Sequence, residues 1–120
     1  MGHRVLVVDD DPDIRETVIE VLEENGHRAL GASNGVEALA RLRSSEELPC
    51  LILLDLMMPT MNGHEFRAEQ LKDPALKPIP VIVISAFRDA AERAAELNAA
   101  GHLHKPVHLD ELITLVDQFC

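Results

Sequence analysis

The chain has 120 residues, enough for one domain burying about two thirds of its unfolded surface, and its 47% hydrophobic and 27% charged composition is ordinary for a globular fold. Eleven basic against twenty-one acidic side chains give a net charge of −10, which opposes attraction to a phosphate backbone and excludes nucleic acid as the expected direct partner. No apolar run reaches the ~18 residues of a membrane span, and Met1 to Arg4 leads into a strand without the apolar core of a signal peptide, so the expected location is the cytoplasm, with no membrane partner.

With three Phe and no Tyr or Trp, the core must come from Leu, Ile, Val, Ala and Met. The first apolar segment, Arg4 to Asp10 (RVLVVDD), ends in two carboxylates. On the helix that follows, Asp11 to Asn25, Ile14, Val18, Val21 and Leu22 form an apolar stripe. Pro12 suits its first turn, Asn25-Gly26 its end, and Asp11 and Asp13 read as helix-start carboxylates. His27 to Gly31 is a short strand candidate, Ser33-Asn34-Gly35 punctuates, and Val36, Leu39, Ala40 and Leu42 mark a second helix to about Ser44. An acidic, proline-ended loop over 45–49 leads into the central stretch, Leu51 to Pro59 (LILLDLMMP). Four aliphatic residues there run straight into Asp55, the pattern of a strand covered on both faces with its charge at the C-terminal lip.

Pro59 to Gly63 (PTMNG) is a turn cluster, followed by a helix from about Gly63 to Leu71 carrying Phe66 and Leu71. The three prolines between Lys72 and Pro80 make that stretch a connection rather than a helix. A fourth strand, Ile79 to Ser85, precedes an Ala- and Glu-rich helix over about Arg88 to Ala99, a glycine at 101 and a short fifth strand, His102 to Lys105. The last helix, Leu109 to Phe119, turns Leu109, Leu112, Val116 and Phe119 inward. Five strand–helix units predict a doubly wound α/β domain over residues 1–120, a parallel sheet with helices on both faces. Cys50 and Cys120 have no paired spacing, which predicts free thiols in a reducing compartment.

In an open parallel sheet the strand ends lie along one edge, so polar residues far apart in sequence converge there. Asp9, Asp10 and Asp55 would then meet, and each like-charge pair at ~4 Å costs up to about 4 kcal/mol at an effective dielectric near 20. A hard divalent cation relieves that repulsion, and an all-oxygen site open to water favours Mg²⁺. A carboxylate beside such an ion can act as a nucleophile towards a phosphoryl group. The phosphoryl oxygens need further positive partners, available in the Ser85 hydroxyl, the backbone N–H groups at Ser85-Ala86 and the Lys105 ammonium. Taken singly, the acidic pair is more often a helix start, Ser85 a capping hydroxyl and Lys105-Pro106 an exposed loop; their joint placement at four strand ends reverses those odds. A metal reading of His102, His104 and His108 lacks an added carboxylate or cysteine ligand, and Met57, Met58 and Met61 read as gap-filling residues around the turn.

The segments VVDDD at 7–11, DLMMPTMNG at 55–63, IPVIVISA at 79–86 and GHLHKP at 101–106, in this order and spacing, resemble the receiver domain of the two-component response regulator family over essentially the whole chain. The resemblance implies a flavodoxin-like (βα)5 fold of strand order 2-1-3-4-5 and phosphorylation of Asp55 by a histidine kinase or histidine phosphotransfer protein. It implies Mg²⁺ bound directly by Asp10, mainly through water by Asp9, and by Asp55 and the Met57 backbone carbonyl. Ser85 would be the switch hydroxyl beside the small Ala86, and Lys105 the phosphate-binding lysine. The face of the fourth helix, fifth strand and fifth helix would serve a downstream effector or a fused output domain. One departure stands out: His102 occupies the place where the family usually has Tyr or Phe, so coupling is expected to be weaker or to depend on imidazole protonation. Met57 and Phe87 would flank the phosphoryl group and slow self-dephosphorylation. Two other readings fit less well: a Mg²⁺-dependent phosphatase usually has a second aspartate where Met57 stands, and a flavin protein would need a stacking Tyr or Trp.

Overall fold

The strands that are apolar at nearly every position occupy the middle of the sheet, where both faces are covered. The computed structural model describes residues 4–44, 47–86 and 88–120. The chain runs β1 (Arg4–Val8), α1 (Pro12–Glu24), β2 (Arg28–Ala32), α2 (Gly35–Ser44), β3 (Leu51–Asp55), α3 (Gly63–Lys72), β4 (Val81–Ser85), α4 (Ala90–Glu96), β5 (Gly101–His104) and α5 (Leu109–Phe119). All strand pairs are parallel, in the expected order β2-β1-β3-β4-β5.

Because successive side chains point to opposite faces, each inner strand feeds two cores. Leu6 and Val8, Ile52 and Leu54, and Val81 and Val83 pack with α2, α3 and α4 through Ala38, Leu39, Leu42, Phe66 and Ala94. Val5 and Val7, Leu51 and Leu53, and Ile82 and Ile84 pack with α1 and α5 through Val18, Leu22, Leu112 and Val116. Fully burying one such Leu or Ile contributes ~1.5–3 kcal/mol, so these two cores hold the sheet.

Some of the apolar residues that mark the helices lie off their buried faces. In α2 the buried positions are Gly35, Ala38, Leu39 and Leu42, while Val36 and Ala40 lie outside that stripe and are exposed. In α3 the inward face is Gly63, Phe66, Arg67 and Gln70, and Leu71 is exposed. Two polar side chains can be buried there because carbonyls satisfy them. Arg67 donates to the Leu97 and Asn98 carbonyls at 2.9 Å each and to Gln70 Oε1 at 2.7 Å; Gln70 donates to the carbonyls of Leu76 and Ile79 at 3.0 Å. Ile14 and Leu109, expected inward, are exposed on opposite sides of an open apolar groove between α1 and the β5–α5 loop.

The fourth helix is shorter than its Ala-Glu pattern predicts. The Asp89 carboxylate bonds Arg93 at 2.8 Å instead of capping backbone N–H groups. At the other end Asn98 takes φ 53°, a left-handed conformation that stops the helix.

The cysteines overturn the free-thiol expectation: Cys50 and Cys120 form a disulfide with Cα atoms 5.7 Å apart. Cys50 immediately precedes β3 and Cys120 immediately follows α5, so topology, not sequence spacing, makes them neighbours.

Candidate functional site

Every helix starts at the rim where a strand ends, so this rim collects both strand-end side chains and helix N-termini. Asp11 caps α1, its carboxylate accepting the N–H groups of Asp13 at 2.9 Å and Ile14 at 3.3 Å. Asp9, just before it, is buried; its Oδ1 accepts the Asp11 N–H at 3.0 Å and its own N–H continues the sheet to the Ala32 carbonyl at 3.0 Å. Arg15, one turn into α1, donates to the Asp9 carbonyl at 2.8 Å and so fixes the backbone that aims this carboxylate.

Asp55 ends β3, 3% exposed, with Oδ1 accepting the Met57 N–H at 3.1 Å. The loop returns tightly beneath it. A Cβ on Gly63 would stand 2.8 Å from the Asp55 carbonyl oxygen and 2.8 Å from Leu56 Cα, so the first residue of α3 must be glycine for the helix to seat against this strand end. Ser85, buried, ends β4, and its carbonyl accepts the Lys105 N–H at 2.9 Å. That bond carries the chain past the end of β5 and places the Lys105 ammonium 3.1 Å from Asp55 Oδ2 and 3.3 Å from Asp9 Oδ2. The Lys105-Pro106 peptide is cis.

The structure therefore brings Asp9, Asp10, Asp55, Ser85 and Lys105 to one rim. Asp9, Asp10 and Asp55 each offer an oxygen within 4.8 Å of the others, and Asp10 is the exposed member. Among the described residues this is the only such cluster of three metal-ligand side chains, and His102, His104 and His108 form none. Ala86 follows Ser85 and is exposed, as is Met57. His102 lies exposed on β5, in register with Val83. Met58 and Met61 pack partly buried against the α2–α3–α4 core. Phe87 lies outside the described residues.

Burial, reinforced by the neighbouring Asp9 charge, raises the Asp55 pKa from 3.8 to about 6, against the opposing pull of the Met57 N–H and the Lys105 ammonium. Burial pulls Lys105 down, but the Asp55 and Asp9 carboxylates outweigh it and leave its pKa raised. One ammonium is thus shared by two buried carboxylates, while a third stands at the mouth.

The sequence profile described as the response regulator receiver domain matches residues 5–117. This chain belongs to that family. The receiver's relatives include Protein PilH of Pseudomonas aeruginosa, 31% identical over 95% of this chain and 94% of its own length. Response regulator MprA of Mycobacterium ulcerans is 38% identical over 94% of the chain, which spans only 48% of MprA. Among solved structures, response regulator protein TrrA of Thermotoga maritima, in complex with Mg²⁺-BeF, superposes with a TM-score of 0.85 at 33% identity, covering 98% of this chain and 99% of that one. Receiver domains bind Mg²⁺ through an acidic cluster, and the donor set here fits: hard carboxylate oxygens, in excess of the single cation among them, with one facing solvent.

Two contributors escape sequence reasoning. Arg15 carries no motif, since one arginine on a polar helix face looks like any other. Gly63 is visible as a turn glycine, but its packing against the Asp55 peptide is not.

Proposed function

We propose that this receiver domain, one unit over residues 1–120, is the phosphoaccepting switch of a two-component phosphorelay, with Asp55 taking a phosphoryl group from a histidine kinase or histidine phosphotransfer protein. The observation that carries the reading is the Lys105 ammonium held between the Asp55 and Asp9 carboxylates beside Asp10. In the transfer, a carboxylate oxygen of Asp55 forms a bond to phosphorus as the bond from phosphorus to the donor imidazole breaks, and the imidazole leaves. An Asp55 pKa near 6 leaves the group mostly ionised above neutrality and more basic than an ordinary carboxylate. Lys105 turns from its carboxylate partners to a phosphoryl oxygen, and the Ser85 hydroxyl and Ala86 N–H take another. Asp10, Asp9, Asp55 and the Met57 carbonyl would hold Mg²⁺, which would supply the remaining positive charge.

The phosphoryl group favours a second conformation only through contacts that differ between the two states, here those to Ser85 and Lys105. These residues end β4 and follow β5, so the change is read out on the α4–β5–α5 face by an effector protein or a fused output domain. His102 is the switch-ring position of that face. The protein acts in the cytoplasm and does not bind nucleic acid directly. It is not an enzyme beyond slow self-dephosphorylation, with Met57 screening the mouth of the site.

Incubation with Mg²⁺ and acetyl phosphate or phosphoramidate tests this. One acid-stable, base-labile phosphoryl group per chain is expected, lost in Asp55→Asn and without Mg²⁺. Many turnovers on phosphomonoesters would instead identify a phosphatase.

A further inference from the structure

At the rim opposite Asp55, Cys50 and Cys120 join the start of β3 to the end of α5 across 70 residues of sequence. Both cysteines are only partly buried, against the α1–α5 core, so a redox partner can reach them. Their backbones are positioned without the bond: the Cys50 N–H donates to the Arg4 carbonyl at 2.8 Å, and the Cys120 N–H to the Val116 carbonyl at 2.9 Å. Dithiol and disulfide forms therefore fit the same fold. Nearby, His27 Nε2 and Asp117 Oδ1, 2.7 Å apart, also link the last turn of α5 to the rest of the fold, with the His27 ring largely covered and the Asp117 carboxylate exposed.

We propose that Cys50 and Cys120 form a reversible dithiol–disulfide site whose oxidation clamps the last turn of α5 to the sheet. The oxidant class is a disulfide, low-molecular-weight or protein-borne. One cysteine thiolate attacks it, forming a mixed disulfide and releasing the first donor thiol; the second cysteine thiolate then displaces the other donor thiol. Two cysteine thiols are oxidised, one external disulfide is reduced to two thiols, and both protons end on those thiols. A disulfide in a compartment that keeps thiols reduced is characteristically transient and redox-sensing, which favours reversibility for a chain acting in the cytoplasm. The signalling consequence rests on the α4–β5–α5 reading above: because α5 belongs to that face, the redox state sets how freely its end responds.

The full chain equilibrated in glutathione buffers from fully reduced to mostly disulfide tests this by maleimide mass-shift and hydrogen exchange. Two labels in reducing buffer, none in oxidising buffer and return on re-reduction are expected, with one label in Cys50→Ser under reducing conditions. Amides over 117–120 should exchange at least ten-fold faster when reduced, while those of β3 hold their rate. The Cys50→Ala/Cys120→Ala variant should match the reduced rate in every buffer. Two labels throughout, or equal exchange over 117–120 in both states, overturns the proposal. Phosphoryl uptake measured in parallel separates the two readings: no uptake in either state refutes the phosphoacceptor function, while labels and exchange still decide the redox site.

Discussion

The two rims of the sheet are held by opposite means. At the carboxyl rim two buried carboxylates share one lysine with a third carboxylate at the mouth, helix N-termini are fastened by side chains such as Asp11 and Asn62, and burial raises the Asp55 pKa to about 6. At the amino rim the chain is tied covalently between β3 and α5. Both rims share β3, a strand apolar from Leu51 to Leu54 with the disulfide before it and the phosphoacceptor candidate at its end. One end of that strand is thus tied by a covalent bond, and the other carries local electrostatic repulsion that a cation can relieve.

The largest expected effect lies at the covalent rim. Closing a loop of 70 residues removes entropy from the unfolded chain worth about 4 kcal/mol. Urea unfolding should show Cys50→Ala/Cys120→Ala less stable than the oxidised protein by roughly 2–4 kcal/mol. The stabilisation gained on adding Mg²⁺ should be the same in both, because the bond lies away from the acidic cluster. A loss below about 1 kcal/mol would show that the amino rim holds without its tie, and the contrast between rims would fail.

The next effect has the opposite sign and belongs to the carboxyl rim. Asp55 has a folded pKa near 6 and an unfolded value near 3.8, so the folded state binds its proton more tightly. The stability this proton provides is fully present below about pH 3.8 and is lost as pH rises through about 6. In EDTA, Asp55→Asn should match wild type near pH 4 and become more stable by about 1–3 kcal/mol above pH 6.5, where wild type holds a buried charge. Mg²⁺ should narrow the gap by stabilising wild type more. Parallel stability curves for the two proteins from pH 4 to 7 would mean that the carboxyl rim carries no such stress.

How much of this was legible in the sequence follows from how local each signal is. Strands β3 and β4 were readable because covering both faces leaves an uninterrupted apolar run, and their polar ends marked the rim where Asp55 and Ser85 stand. The inward faces of the helices were less so. Arg67 and Gln70 break the apolar stripe of α3, and only the carbonyls of the α4 terminus and the α3–β4 connection, supplied by the tertiary fold, make their burial affordable. Ile14 and Leu109 fit a stripe yet line an open groove, since periodicity reports a face and not what covers it. The disulfide was illegible for a similar reason: nothing in the spacing of residues 50 and 120 shows that β3 starts where α5 ends.

The smallest prediction tests whether the carboxyl rim is fastened piecewise. Asn62 Oδ1 accepts the Glu65 N–H at 2.9 Å and the Asn62 N–H donates to Glu65 Oε1 at 3.0 Å, a reciprocal cap on α3. Asn62→Ala keeps the second bond and loses the first, which should cost about 1 kcal/mol in urea unfolding. Because Gly63 seats that helix against the Asp55 peptide, hydrogen exchange should quicken over residues 62–66 at the site while the last turn of α5 is undisturbed. If exchange quickens equally at residues 117–120, the two rims respond as one unit, and their separate fastening is wrong.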